Sequence, residues 1–291
     1  MIFDYIIIGA GSAGCLLANR LSANPDHKVL LLEAGGKDSH PNIHIPAAFS
    51  KLFRSAFDWN YETVPQPHMG TRPMFQPRGK VLGGCSSINA MIYIRGHRAD
   101  FDGWAALGNE GWSYEAVLPY FKKFERNLRV QDDFHGATGE FTISDPRDPH
   151  PLSQQFVAAG QQAGYAANDD FNGAEQEGFG LYQLSQRNGR RESAATAFLN
   201  PVRHRKNLTI VTNAIVRKIL ISNKMAIGLA YEHGNEHNEV TANREVILSA
   251  GAFNSPQLLM LSGIGDEAQL RPLGIEVQQH LPGVGQNLQD H

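Results

Sequence analysis

Cysteine is almost missing from this chain: Cys15 and Cys85 are the only two in 291 residues. That excludes a disulfide framework, and two thiols alone cannot build a structural zinc site. His233 and His237 have ligand-like spacing, but Gly234 and Asn235 between them mark a turn, so no metal site is expected. Charge of one sign is lacking too. With 26 basic and 29 acidic residues the formal net charge is −3, and the longest basic cluster, Arg203-His204-Arg205-Lys206, reads as a solvated loop. No nucleic-acid partner is therefore expected. No apolar run reaches the ~18 residues needed to cross a bilayer. Strand-like sequence begins at Ile2, which leaves no room for a signal peptide. The cytoplasm is the expected location, with peripheral membrane attachment or homo-oligomer formation left open. No G-x-S-x-G elbow is present, which argues against hydrolase chemistry.

What is present is a core-forming composition, 42% apolar and 19% charged, enough for one large or two moderate domains. The most informative stretch opens the chain. Ile2-Phe3-Asp4-Tyr5-Ile6-Ile7-Ile8 runs into Gly9-Ala10-Gly11-Ser12-Ala13-Gly14, a helix-like segment follows, and Leu30-Leu31-Leu32 ends in Glu33. Strand, G-x-G-x-x-G turn, helix, strand and acid together form the dinucleotide fingerprint. Gly9 permits the tight turn, Gly11 lets backbone approach a pyrophosphate, and Gly14 lets helix and strand pack closely. The phosphates would then rest on the unpaired N–H groups around Ser12 and Ala13, at the positive end of the helix dipole. Glu33 stands about 20 residues beyond the glycines, where a carboxylate accepts the two ribose hydroxyls. Its charge would repel a 2′-phosphate, so NADP is the least favoured occupant.

Residues 36–77 show no sustained periodicity and are rich in proline, which predicts a long extended excursion; Phe49, Phe53, Phe57, Trp59 and Tyr61 suit it to wrapping a ligand. A second glycine and hydroxyl-rich loop follows, Arg78-Gly79-Lys80-Val81-Leu82-Gly83-Gly84-Cys85-Ser86-Ser87-Ile88-Asn89. Helices are predicted over 113–126, with Ser113 as N-cap, and from Pro151 towards Gly164. A β-meander is predicted from Leu208 to Val211, Ile215 to Ile221 and Met225 to Tyr231. Val246-Ile247-Leu248-Ser249-Ala250-Gly251 reads as a buried strand returning to the first sheet, bringing Gly251 to the cofactor, and Ser255-Pro256 as the start of a helix through Leu261. The three tryptophans, Trp59, Trp104 and Trp112, are expected in the core.

Four blocks of this chain resemble the glucose–methanol–choline (GMC) family of flavoprotein oxidoreductases, most closely its choline dehydrogenase-like bacterial branch. They are the first glycine turn with Glu33-Ala34-Gly35-Gly36; the loop from Gly79 to Asn89; Gly251-Ala252-Phe253-Asn254-Ser255-Pro256 through Ser262-Gly263-Ile264-Gly265; and the segment from Leu281 to His291. The resemblance implies FAD, with its ADP half on residues 9–14 and Glu33. It places Val81 and Asn89-Ala90-Met91-Ile92 along the pyrophosphate and isoalloxazine, and the backbone of Val216 at the adenine. Gly84 belongs to a loop whose amides and hydroxyls would serve a buried flavin. Cys85 reads as a small neutral residue. Ile88 stands where some members carry the His that bonds flavin covalently, so non-covalent FAD is expected.

The implied fold is α/β: a Rossmann-like FAD-binding domain with a β-meander (1–150 and 201–291), plus part of an α+β substrate-binding domain (151–200) whose C-terminal portion is absent. The implied reaction oxidises a choline-like or aliphatic alcohol to a carbonyl by hydride transfer to flavin N5, with the electron acceptor open. Members of this family are longer and carry their catalytic His near the C-terminus, so the chain reads as truncated and no catalytic residue is named; His291 falls in a structural loop of the family. A non-catalytic FAD-binding fragment, or half of a split enzyme, is the alternative. An NAD-dependent dehydrogenase would explain the first block but not the second and third.

Overall fold

The computed structural model describes residues 1–289 and divides into two compact units, one of Met1–Ile43, Ala48–Ile88 and the chain from Ala194 onwards, the other of His44–Ala47 and Asn89–Ser193. His291 lies outside the described residues. The first unit is built on strand β1 (Ile2–Ile8), helix α1 (Ser12–Leu21) and strand β2 (Val29–Leu32). It continues with β3 (Leu208–Val211), β4 (Ala214–Ser222), β5 (Met225–His233), β6 (Glu236–Leu248) and helix α2 (Gly251–Leu261). These strands form one six-stranded sheet in the order β4-β5-β6-β1-β2-β3. β6, β1, β2 and β3 run parallel, while β5 is antiparallel to both β4 and β6.

Continuous apolar runs place β1 and β2 at the sheet centre, as expected for parallel strands covered on both faces. Ile6, Ile7 and Ile8 and all four residues of β2 are buried. In register, Ile6 pairs with Leu30 on one side and Val246 on the other. Ile6, Ile8, Leu30 and Leu32 pack with Leu229, Val240 and Leu258 in one cluster, which ties the antiparallel strands and α2 to the parallel ones. Beside α1 lies a π-helical turn, Ala195–Leu199, where the Asn19 amide donates to the Phe198 carbonyl at 2.7 Å.

Sequence and structure differ at three places here. The segment Leu208–Val211 is not part of the meander but a parallel strand beside β2; the meander is β4, β5 and β6. The run from Val246 is not a separate strand: it ends a 13-residue strand whose first half pairs with β5 and whose second half pairs with β1. Polar residues from Glu236 to Arg244 hide that continuity, because this part is only partly buried and shows no apolar run. Helix α2 begins at Gly251 rather than at Ser255, leaving Pro256 inside it. The strand-to-glycine junction fixes the start and overrides the Ser-Pro signal.

The second unit, taken by itself, holds the helices Arg98–Ala106, Tyr114–Phe124 and Pro151–Gln162 and short two-stranded ladders. Ser113 caps its helix as expected, accepting from the Ala116 amide at 3.3 Å. Glu125–Asn127 pairs in parallel with Phe141–Ile143, and Ile143 is fully buried. None of the three tryptophans sits fully in the core, for Trp59 of the first unit is only partly buried. Trp104 and Trp112 pack edge to face at 5.8 Å, yet both are about half exposed.

Candidate dinucleotide site

In an open α/β sheet a ligand crevice forms beyond the carboxyl ends of the strands, where neighbouring connections leave in opposite directions. β1 is that point in this sheet: β2 flanks it on one side and β6 on the other. A pocket of about 670 Å³ opens there. Ile8, Gly9 and Gly11 from the end of β1, Leu32 and Glu33 from the end of β2, and Ser249 and Gly251 from the end of β6 line it.

The turn after β1 is locked from behind. Gly9 has φ +93°, and a Cβ on it would stand 2.6 Å from the Ser249 carbonyl oxygen. Gly14 is packed directly on the Gly9 carbonyl and lies behind the turn rather than in the lining. Gly11 is different. Its φ of −78° suits any residue, and a Cβ there would meet nothing closer than Ser249 O at 4.0 Å. Protein packing does not demand glycine at that position, but a group lying in the pocket against the backbone would. Ser12 and Ala13 also face the pocket and begin α1, whose first amides have no intrahelical partners. This donor set is suited to an anion such as a pyrophosphate.

Glu33 is buried and held from two sides: Oε2 accepts from the Ala10 amide at 2.9 Å and Oε1 from the Gly35 amide at 2.8 Å. Burial pushes its carboxyl up to about 7, against the lowering pull of those two amides and of the Lys80 charge. Each oxygen keeps a second lone pair for a ribose hydroxyl.

The second glycine loop docks on the first. The Gly83 amide donates to Ala10 O at 2.7 Å, and the Leu82 amide to Gly36 O at 3.0 Å. Gly84 and Cys85 thereby reach the pocket wall, while the Val81 side chain points into a separate core with Ile43, Leu52 and Ile88. Cys85 is exposed, and its sulfur accepts from the Gly79 amide at 3.3 Å. Val216 lines the pocket from β4.

Asn89, Ala90, Met91 and Ile92 fall in the second unit. Asn89 Oδ1 accepts from the Met91 amide at 3.1 Å and from Arg191 Nη1 at 2.8 Å. Met91 is buried with φ +63°, its carbonyl accepting from the Ser185 amide at 2.8 Å. Ile92 is half exposed and bridges to Leu184.

Several lining residues escape a reading of the first block. Trp59 and Tyr61 stack at 5.7 Å, Tyr61 meets Phe253 at 6.0 Å, and Arg78 sits 4.4 Å above the Phe253 ring. The aromatic content of the excursion flags Trp59 and Tyr61; Arg78 and Ser249 stand in the second glycine loop and the returning strand, where the sequence assigns them no role of their own.

Comparison with known proteins agrees with this geometry. The model of the GMC oxidoreductase family matches residues 3–291. The chain belongs to that family. It is 51% identical over 294 residues to an alcohol dehydrogenase [acceptor] of Pseudomonas putida, covering 100% of this chain and 53% of the relative. To an oxygen-dependent choline dehydrogenase of Photobacterium profundum it is 49% identical, covering 99% and 51%. The solved structure of an FAD-dependent oxidoreductase from Chaetomium thermophilum superimposes with a TM-score of 0.93 at 35% identity, over 99% of this chain and 52% of that one. The chain thus spans about half the length of the curated relatives it matches.

Proposed function

We propose that the GMC chain binds FAD non-covalently and serves an oxidoreductase acting on CH–OH groups, with a choline-like or aliphatic alcohol as substrate. One observation carries the cofactor reading: the open position at Gly11, between amide donors on one side and the buried Glu33 carboxyl on the other. The ADP half lies over residues 9–14 with its ribose on Glu33, its adenine against the backbone of Val216, and Gly84 and Gly251 close to the chain of phosphates and ring. Val81 and Asn89-Ala90-Met91-Ile92 follow the pyrophosphate and isoalloxazine, a placement supported by family membership. When bound, FAD supplies the hydride acceptor for alcohol oxidation.

The chain's own contribution is binding and orientation: backbone donors for phosphate, a carboxylate for ribose, and exclusion of water by the packed loops. The domain assignment rests on the same reading, with residues 1–150 and 201–291 as the FAD-binding domain and 151–200 as part of the substrate-binding domain. The alcohol substrate follows the activities that name the relatives above, and cytoplasmic location is proposed on composition. No helix among the described residues is long and apolar enough to cross a membrane.

Titrating the purified chain with FAD tests the cofactor reading. Flavin absorbance that travels with the protein on gel filtration, and leaves it on denaturation, is expected. Colour that stays with denatured protein contradicts the non-covalent assignment, and a chain indifferent to FAD contradicts the reading itself. Extending the assay to the complete reading frame, with a panel of alcohols and both oxygen and artificial acceptors, tests the activity.

A further inference from the structure

The second unit encloses a row of charges that the dinucleotide reading leaves unused. His135 is 1% exposed, and both ring nitrogens face carboxylates. Nδ1 lies 2.7 Å from Glu125 Oε1, and Nε2 lies 3.0 Å from Asp170 Oδ2. A neutral imidazole has one N–H, so it would set a lone pair against one of these two anions. A doubly protonated ring donates at both ends. Asn127 Nδ2 also stands 3.2 Å from Nδ1, but it has its own acceptors in Glu125 Oε1 at 2.9 Å and Gln183 Oε1 at 2.8 Å. It does not require Nδ1 as an acceptor.

The row continues beyond the ring. Glu125 Oε2 accepts from Arg95 Nη2 and from the Tyr93 hydroxyl. On the far side, Asp170 Oδ1 accepts from the Asn172 amide at 3.1 Å, and Asn172 Oδ1 accepts from the Arg95 amide at 2.7 Å. Arg95, Glu125, His135 and Asp170 therefore alternate in sign and close on themselves through Asn172. With His135 charged the row is neutral; with His135 neutral it carries a buried excess anion, which is costly.

We infer that His135 is held as an imidazolium and acts as a positioning residue, fixing the 93–95 segment, Glu125 and the 168–173 loop as one rigid piece. Residues 89–92 immediately precede that segment, so the consequence for the flavin rests on the function proposed above; the clamp itself does not. The other charged groups facing it fit the inference. Arg129 pairs with Asp145 and Asp169 and adds positive charge beside Asp170. Asp132 spends its Oδ1 on the amides of Phe134 and His135.

Burial pulls the imidazole down, yet the hydrogen bonds and charges of Asp170 and Glu125 outweigh it and lift His135 to about 9. Burial likewise raises Asp170, but its bond to His135 holds it below the usual carboxylate range. Because the His135 value is raised, its stabilising contribution is complete below pH 6.5 and is lost as pH climbs through about 9. Because the Asp170 value is lowered, its contribution is present above pH 3.8 and disappears in acid below that. Asp170 is the more exposed anchor, with its side chain 20% accessible against 0% for Glu125, so the loop end yields first.

Nitrogen-15 NMR of the 291-residue chain labelled in its histidine rings tests this, with His135 assigned by through-bond correlation to its own backbone. Both ring nitrogens should be protonated at neutral pH, with a midpoint near pH 9 against about 6.5 for an ordinary histidine. Asp170→Asn should lower that midpoint by about one unit or more and speed amide exchange over 170–173 about tenfold. A neutral His135 ring at pH 7 overturns the inference, and so does a midpoint unchanged in Asp170→Asn. Flavin content is measured in the same samples. A colourless chain that retains the imidazolium sinks the cofactor reading and leaves the clamp standing.

Discussion

Gly84 approaches Gly11 so closely that a methyl group on it would sit 2.8 Å from the Gly11 Cα. The two glycine loops thus meet backbone to backbone at the pocket wall, and the two glycines serve opposite purposes. Gly84, at φ +55°, is required by the protein; Gly11, with open space before it, is required only by the flavin proposed above. Gly84→Ala should lower stability by about 1–3 kcal/mol, through strain and the forced separation of the loops. Gly11→Ala should leave the melting curve within about 0.5 kcal/mol of wild type, yet weaken FAD binding about tenfold or more. Thermal melts and flavin titrations on both variants check the contrast, and equal stability losses would remove the distinction.

Proton linkage at Glu33 gives a second prediction. In the ligand-free chain its value is raised from 4.5 to about 7, so its contribution to stability is complete below pH 4.5 and is lost as pH rises through about 7. Ribose hydroxyls donate to the charged form and so pull the value down. FAD affinity should therefore rise with pH through neutrality, by about tenfold for each unit of lowering. Glu33→Gln should bind more weakly and lose this pH dependence. Calorimetric titrations from about pH 5 to 9 decide it, and a flat wild-type profile would contradict the ribose contact.

Much of this was legible in the sequence, for identifiable reasons. Strands β1 and β2, the glycine turn and Glu33 lie within one short stretch, where chemistry and spacing are local, and the structure gathers Gly9, Gly11 and Glu33 around one pocket. The Gly84 loop was legible as a motif, but its docking on Gly11 was not, since that contact joins segments far apart in the chain. β6 is not legible as one strand because its stretch from Glu236 to Arg244 is mostly polar and shows no apolar run. The charge row through His135 left no periodic signal at all: Arg95, Glu125, His135 and Asp170 come from four separate segments. Trp104 and Trp112 were expected inside on residue type alone, which does not see what a surface helix and the loop after it leave uncovered.

The two thiols should behave differently. Cys15 is fully buried and its Sγ donates to Ala10 O at 3.1 Å; burial above all pushes it up to about 12. Cys85 is exposed and lines the pocket. A thiol reagent at neutral pH should therefore modify one group rapidly, and Cys85→Ser should abolish that phase. Bound FAD should slow it about tenfold by covering the loop. Two fast equivalents in the folded chain, or no protection by FAD, would contradict the placement.

Ser249, outside the glycine motifs, holds the turn that follows β1. Its amide donates to Ile8 O at 2.9 Å, and its hydroxyl lies 2.9 Å from Ile8 O and 3.0 Å from Gly9 O. One hydroxyl proton serves both carbonyls, so the side chain pins the peptide that turns β1 towards the pocket-facing amides. Its own carbonyl blocks any side chain at Gly9 from the other side. Ser249→Val removes the donor and adds one methyl group, leaving two partly buried carbonyls one bond short, and Thr is its match in bulk. Stability should fall by about 0.5–1.5 kcal/mol. FAD affinity should fall about threefold to tenfold, because a loosened turn presents its amides less well. Ser249→Thr retains the hydroxyl and should restore most of both. A Thr variant as weak as the Val variant would mean that space beside Gly9, rather than the hydrogen bond, sets the turn.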